Sequence, residues 1–125
     1  MFQTVIRSHF DAAHFLRNYQ GKCAHLHGHR WDVEIGVEGK QLDHTGMLVD
    51  FGELKKALYQ VLDQLDHQLL NDIPEFAREK NPTAENLAAY LYREIKERLL
   101  LPEGLTLAGV KVYESPDAWA LYKED

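Results

Sequence analysis

The stretch Cys23-Ala24-His25-Leu26-His27-Gly28-His29, with a further histidine at His14, gathers the residue types that hold transition metals. Four of the seven histidines in this 125-residue chain lie between His14 and His29, and the only cysteine stands among them. Imidazole and thiolate are borderline-to-soft ligands suited to zinc. A catalytic zinc takes three protein ligands and keeps a fourth position open. His14, His27 and His29 would supply three imidazoles and leave Cys23 free as a base or nucleophile. That division of roles points to an enzyme. His25, His27 and His29 would share one face of an extended segment, so spacing alone leaves open whether His25 or His27 is the ligand. Gly28 lets the backbone bend tightly between them.

Cys23 has two readings. Free cysteines are commonly small buried hydrophobes, but Gly21, Lys22 and His25 make a polar loop around this one. Neighbouring positive charge favours a thiolate. A thiol-histidine-carboxylate constellation needs partners from elsewhere in the chain, and Asp66-His67 is the best pair. The same two residues would serve equally as a polar last turn of a helix, where His67 favours the dipole. Glu114 follows Val110 and Val112 at alternate positions, which predicts an inward side chain. A buried carboxylate needs a partner, such as the paired N–H donors of a heterocycle. The alternative is a solvated strand end.

The elements that must carry these residues follow from periodicity. Phe2 to Phe10 alternates, and Trp31, Val33, Ile35 and Val37 alternate with Asp32, Glu34, Gly36 and Glu38. This is the period-2 signature of half-buried strands. The two are expected to form an antiparallel hairpin with an irregular connection from about Asp11 to Arg30. Asp50 and Glu53 read as a capping box. Leu54, Leu58, Val61, Leu62, Leu65 and Leu69 then form a helical stripe, which Pro74 terminates. A second helix starts near Asn81-Pro82-Thr83, carries Leu87, Leu91, Ile95 and Leu99, and ends at Pro102 to Gly104. Leu105 to Glu114 and Trp119 to Lys123 read as strands. The order strand-strand-helix-helix-strand-strand predicts an α+β domain over residues 1–125, a four-stranded antiparallel sheet with both helices on one face. Its exposed edges predict oligomerisation.

Composition excludes several classes. The length suits one domain. A net charge of -6 argues against nucleic acid as partner, since that surface demands clustered Lys and Arg. A small phosphorylated molecule needs only a local cationic pocket. One cysteine forms no intramolecular disulfide. Residues Met1 to Phe15 lack the apolar core of a signal peptide, and no run approaches the roughly eighteen apolar residues of a membrane span. No membrane partner is expected, and the cytoplasm is the expected compartment.

Six segments together resemble the 6-pyruvoyltetrahydropterin synthase-like family. They are Phe10-Asp11-Ala12-Ala13-His14, Cys23 to His29, Val49 to Lys55, Leu65 to Asn71, Asn81 to Asn86 and Val112-Tyr113-Glu114, in the family's order over nearly the whole chain. Within the family they look most like the bacterial carboxy-forming enzymes of the queuosine pathway, because Cys23 precedes His27 by four residues. The resemblance implies that His14, His27 and His29 are zinc ligands and that Cys23 is the catalytic thiol. It implies that Asp66 and His67 are relay partners of Cys23. Glu114 falls on the carboxylate that anchors the pterin ring, and Thr83 lies on the pterin-binding segment. The implied fold is the tunnelling fold (T-fold), assembled into barrels as a homohexamer, a dimer of trimers, with active sites between subunits. The implied reaction converts 7,8-dihydroneopterin triphosphate to 6-carboxy-5,6,7,8-tetrahydropterin, with a pyruvoyl product or a non-catalytic pterin-binding module as alternatives. His25 stands where one bacterial form has arginine.

Overall fold

The computed structural model describes residues 1–124 and contains a five-stranded sheet backed by two helices. Strands β1 (Phe2–His14) and β2 (His27–Gly39) form a long antiparallel hairpin, in register from Phe2 opposite Gly39 to His14 opposite His27. Helix α1 (Phe51–Leu65) follows, then the short β3 (Gln68–Leu69), α2 (Ala84–Arg98), β4 (Thr106–Ser115) and β5 (Ala118–Tyr122). The sheet order is β3-β1-β2-β4-β5. α1 packs on β1, and α2 packs on β4 and β5.

Period-2 alternation decides which side of the sheet the helices cover. Ile6, Phe10 and Ala12 of β1, Trp31, Val33, Ile35 and Val37 of β2, and Leu107, Val110 and Val112 of β4 all point to the helices and are buried. They meet Leu54, Leu58, Val61, Leu62 and Leu65 of α1, and Leu87, Ala88, Leu91, Tyr92 and Ile95 of α2. The opposite face carries Arg7, Asp32, Glu34, Lys111 and Tyr113, linked by ion pairs and a Tyr113 hydroxyl donating to Glu34 at 3.0 Å. No helix among the described residues is long and apolar enough to cross a membrane.

Four expectations need correction. The hairpin connection is shorter than Asp11 to Arg30: the strands run to His14 and from His27, leaving residues 15–26 as the loop. The sheet is mixed and has five strands, because Gln68–Leu69 pairs in parallel with Ala12–Ala13. Leu69 therefore lies off the α1 stripe. The helix stops at Leu65 because Asp66 turns its carboxylate to the Asp11 N–H at 2.9 Å, and His67 takes a left-handed φ of 60°. Such a φ is uncommon outside glycine. The α1 cap is made by Asp50 accepting from the Gly52 N–H at 2.7 Å, not through a reciprocal box with Glu53.

Candidate metal centre and active site

The helix-covered face of the sheet extends beyond the helices, and the chemistry lies on that extension. His14 is the next inward position after Ala12, His27 and His29 precede Trp31 at the same parity, and Glu114 follows Val112. The rule that buries the core thus brings four polar side chains to one end of it. One ligand atom from each of His14, His27, His29 and Glu114 lies within 4.8 Å of all the others. Trp31 forms the floor, its ring centroid 4.8 Å from that of His14 and 5.2 Å from that of His29. The Trp31 indole N–H donates to the Ala12 carbonyl at 3.3 Å.

Hydrogen bonding fixes the tautomers. His14 Nδ1 lies 2.8 Å from the Pro82 carbonyl, and His27 Nδ1 lies 2.6 Å from the His25 carbonyl. A carbonyl can only accept, so both Nδ1 atoms carry the proton and both neutral rings present a bare Nε2. Those two Nε2 atoms face each other at 3.0 Å. Two lone pairs at that separation repel unless a cation, a proton or a metal ion, lies between them. His29 Nε2 is buried with no hydrogen-bond partner; Glu114 Oε1 is 3.3 Å away, within ion-pair reach of a protonated ring but not hydrogen-bonded to it. Burial lowers the pKa of His14, against the Pro82 carbonyl, which raises it. Burial also lowers that of His29, partly offset by Glu114. Burial therefore favours neutral rings, the state a metal requires. Backbone carbonyls on the far nitrogens are the usual outer support of metal-bound imidazoles. The set fits a transition metal, for which imidazole suits zinc, copper, iron or nickel.

The remaining candidates lie outside this group of four. His25 is exposed in the loop and contributes its carbonyl to His27, so the structure brings His27 into the group and leaves the His25 ring out. Cys23 is a free, half-buried thiol on a single turn, Lys22–Ala24, and is outside the group of four. Asp66 and His67 form a dyad, with His67 Nδ1 2.9 Å from Asp66 Oδ2. The Asp11 N–H, then His67, lower the Asp66 pKa and keep the carboxylate charged. The His67 backbone N–H in turn donates to the Asp11 carbonyl at 2.6 Å. The dyad is thus clasped to β1, and within one chain its hydrogen bonds go to Asp11 rather than to Cys23. His67 shares an open groove with Ala12, Ala13, Gly28 and His29. Thr83 is the N-cap of α2, its hydroxyl accepting from the Asn86 N–H at 3.1 Å. Sequence reasoning did not single out Asp11 or Pro82 as supports; the proline in an Asn-Pro-Thr turn was the one local signal.

The family model described as 6-pyruvoyl tetrahydropterin synthase matches residues 3–125. This chain belongs to the 6-pyruvoyl tetrahydropterin synthase family. The chain is 33% identical to a Rickettsia felis protein named 6-carboxy-5,6,7,8-tetrahydropterin synthase, over 95% of this chain and 98% of that one. A Bacillus subtilis protein of the same name is 37% identical over 92% of this chain and 80% of its own length. The solved structure of Caenorhabditis elegans 6-pyruvoyl tetrahydropterin synthase superposes with a TM-score of 0.87 at 30% identity, covering 99% and 96% of the two chains. The α+β fold with five strands and two helices is therefore the family fold.

Proposed function

We propose that this family member is a zinc-dependent lyase. It converts 7,8-dihydroneopterin triphosphate to 6-carboxy-5,6,7,8-tetrahydropterin with release of acetaldehyde and triphosphate, in cytoplasmic queuosine synthesis. The observation that carries the proposal is the convergence of three imidazoles, two with facing lone pairs, in a chain whose single free thiol takes no part in the cluster. His14, His27 and His29 would hold the ion. Bound there, zinc supplies Lewis-acid polarisation of the substrate's side-chain oxygens, which eases loss of neighbouring protons.

The chain's own residues do the rest. Cys23, as thiolate, takes a substrate proton, and His67 exchanges it through Nε2 while Asp66 holds Nδ1. Glu114 accepts paired N–H groups of the pterin ring and so fixes the distance between reacting carbon and thiol, an orientation effect. Thr83 retains its hydroxyl proton for the ring, because its cap role uses only a lone pair.

The active unit is proposed as a hexamer, a dimer of trimers with sites between subunits. β3 covers only Ala12 and Ala13 of β1, so the β1 edge before them is open, with Phe2 and Val5 exposed. β5 has no outer neighbour among the described residues, and Trp119 and Leu121 are exposed on it. Open edges of this kind are templates for pairing. A relay whose dyad is bonded to Asp11 gains its thiol from a second copy. Incubating the pure, metal-analysed protein with 7,8-dihydroneopterin triphosphate tests the reading. Acetaldehyde accompanying the carboxy product is expected. A second reading, formation of 6-pyruvoyltetrahydropterin, is favoured by the close superposition on the C. elegans protein, and a pyruvoyl product without acetaldehyde would establish it instead.

A further inference from the structure

Past His14 the first strand loses its strand neighbours, yet its backbone stays paired. Phe15 donates its N–H to Asn71 Oδ1 at 3.0 Å and accepts from Asn71 Nδ2 at 3.0 Å. Two residues on, Arg17 donates its N–H to Asn81 Oδ1 at 2.9 Å and accepts from Asn81 Nδ2 at 3.0 Å. A carboxamide offers one acceptor and a donor in a plane, the same pair that a facing strand residue would present. Two asparagines, from separate irregular segments, thus stand where the next strand would run. Leu16, between them, points its N–H the other way and donates to the Cys23 carbonyl at 2.8 Å. The remaining backbone bonds of that turn, Ala24 to Gly21 and His25 to Lys22, lie within the loop itself.

We propose that Asn71 and Asn81 are positioning residues that set the Cys23 thiol relative to the three imidazoles. The proposal rests on the reading of Cys23 as the proton acceptor. His14 is the residue before Phe15, so the clamp on Phe15 and Arg17 fixes the strand that carries one imidazole and, through Leu16, the loop that carries the sulfur. Asn71 is 4% exposed, and Asn81 is itself held, its carbonyl accepting from Asn86 Nδ2 at 2.8 Å and from the Thr83 N–H at 2.9 Å. The Arg17 guanidinium adds a bond to the Phe76 carbonyl at 2.7 Å. The segment from Asn71 to Thr83 therefore acts as a template against which the end of β1 is laid. The Pro82 carbonyl that orients His14 belongs to that segment too.

The test uses Asn81→Asp, which keeps the acceptor for the Arg17 N–H and removes the donor to its carbonyl, with Asn71→Ala beside it. Four readouts are taken on the zinc-loaded protein: metal content, thermal midpoint, the rate of Cys23 alkylation by iodoacetamide, and kcat against KM for dihydroneopterin triphosphate. Metal content is expected to stay within about twofold. Alkylation is expected to change by roughly threefold or more, and kcat to fall about tenfold or more with KM nearly constant, because a small misplacement of a reacting group is costly. A lowered midpoint with unchanged alkylation and kcat would make the asparagines mere staples and overturn the proposal. If the wild type does not turn over this substrate, the functional reading fails, while alkylation still decides the positioning. If neither variant folds, hydrogen exchange of the wild type decides: amides of Phe15, Leu16 and Arg17 exchanging as fast as the loop tip would overturn the clamp.

Discussion

Replacing His14 by alanine separates what the cation does from what packing does. In the zinc-loaded wild type, a ligand present at 100 times its dissociation constant stabilises the fold by about 2.7 kcal/mol. For a domain of this size each kcal/mol moves the midpoint by roughly 3–5 °C, so zinc added to chelator-stripped protein should raise it by about 10 °C. His14 is 1% exposed and its Nδ1 satisfies the Pro82 carbonyl. Truncation leaves that carbonyl unpaired, at a cost of about 1–3 kcal/mol, and leaves a cavity beside Trp31. It also removes one of the two lone pairs that oppose each other at 3.0 Å. The metal-free variant should therefore melt lower than the metal-free wild type. The decisive number is the zinc-induced shift, expected to collapse to about 3 °C or less, with zinc content falling in parallel. Scanning fluorimetry with a zinc-buffered series and elemental analysis would measure both. A variant that keeps the full shift, or a wild type with none, would refute the argument that the imidazoles require a cation.

Cys23→Ser should lose activity by about 100-fold or more, the usual worth of a positioned proton acceptor, while zinc content is unchanged because the sulfur is outside the imidazole group; full zinc loss would make it a ligand. Glu114→Gln should raise KM for the pterin and leave zinc affinity within about threefold, measured by steady-state kinetics and chelator competition; a large loss of zinc affinity would make Glu114 a fourth ligand to the metal. Glu75 accepts from Lys80 and Arg93, both at 2.9 Å, and Lys80 then Arg93 hold its pKa below the usual carboxylate value. A depressed carboxyl contributes stability that is complete above its unfolded pKa and disappears as pH falls through the folded one. The midpoint difference between wild type and Glu75→Gln should therefore shrink as pH drops below about 4.5, and a difference constant from pH 7 to 3 would exclude the ion triad as its source.

The sheet face was legible because alternation is local. Trp31, Val33, Ile35 and Val37 announced their strand, and continuing the same parity backward places His29 and His27 together, which spacing within an assumed loop left undecided. Glu114 was legible for the same reason, two steps beyond Val112. The third strand was not. Leu69 continues the spacing of Leu65, so periodicity alone prolongs the helix. What stops it is a bond from the Asp11 N–H to Asp66, between residues far apart in the chain, with His67 absorbing the turn at φ 60°. Asn71 and Asn81 were likewise opaque: asparagine beside aspartate or proline reads as turn chemistry. Only the folded chain shows their amides filling a vacancy left by a missing strand.

These failures share a physical cause that also explains the site. A strand's alternation specifies which side chains face the core but not where the core stops. Here the helices cover the inner face up to Ala12, Trp31 and Val112, and the next inward positions are His14, His29 and Glu114. Apolar side chains at those positions would have prolonged the core; here His14 is buried against Trp31 and the Pro82 carbonyl, while His29 and Glu114 keep part of their surface exposed. One atom, His29 Nε2, is nevertheless buried without a partner, and the Nε2 atoms of His14 and His27 face each other at 3.0 Å. The sheet register holds the His14 and His27 backbones opposite each other whether or not an ion is present. The cost of assembling the imidazoles is therefore met by the hydrophobic core beneath them, and a cation arriving there need only displace a repulsion that folding has already imposed.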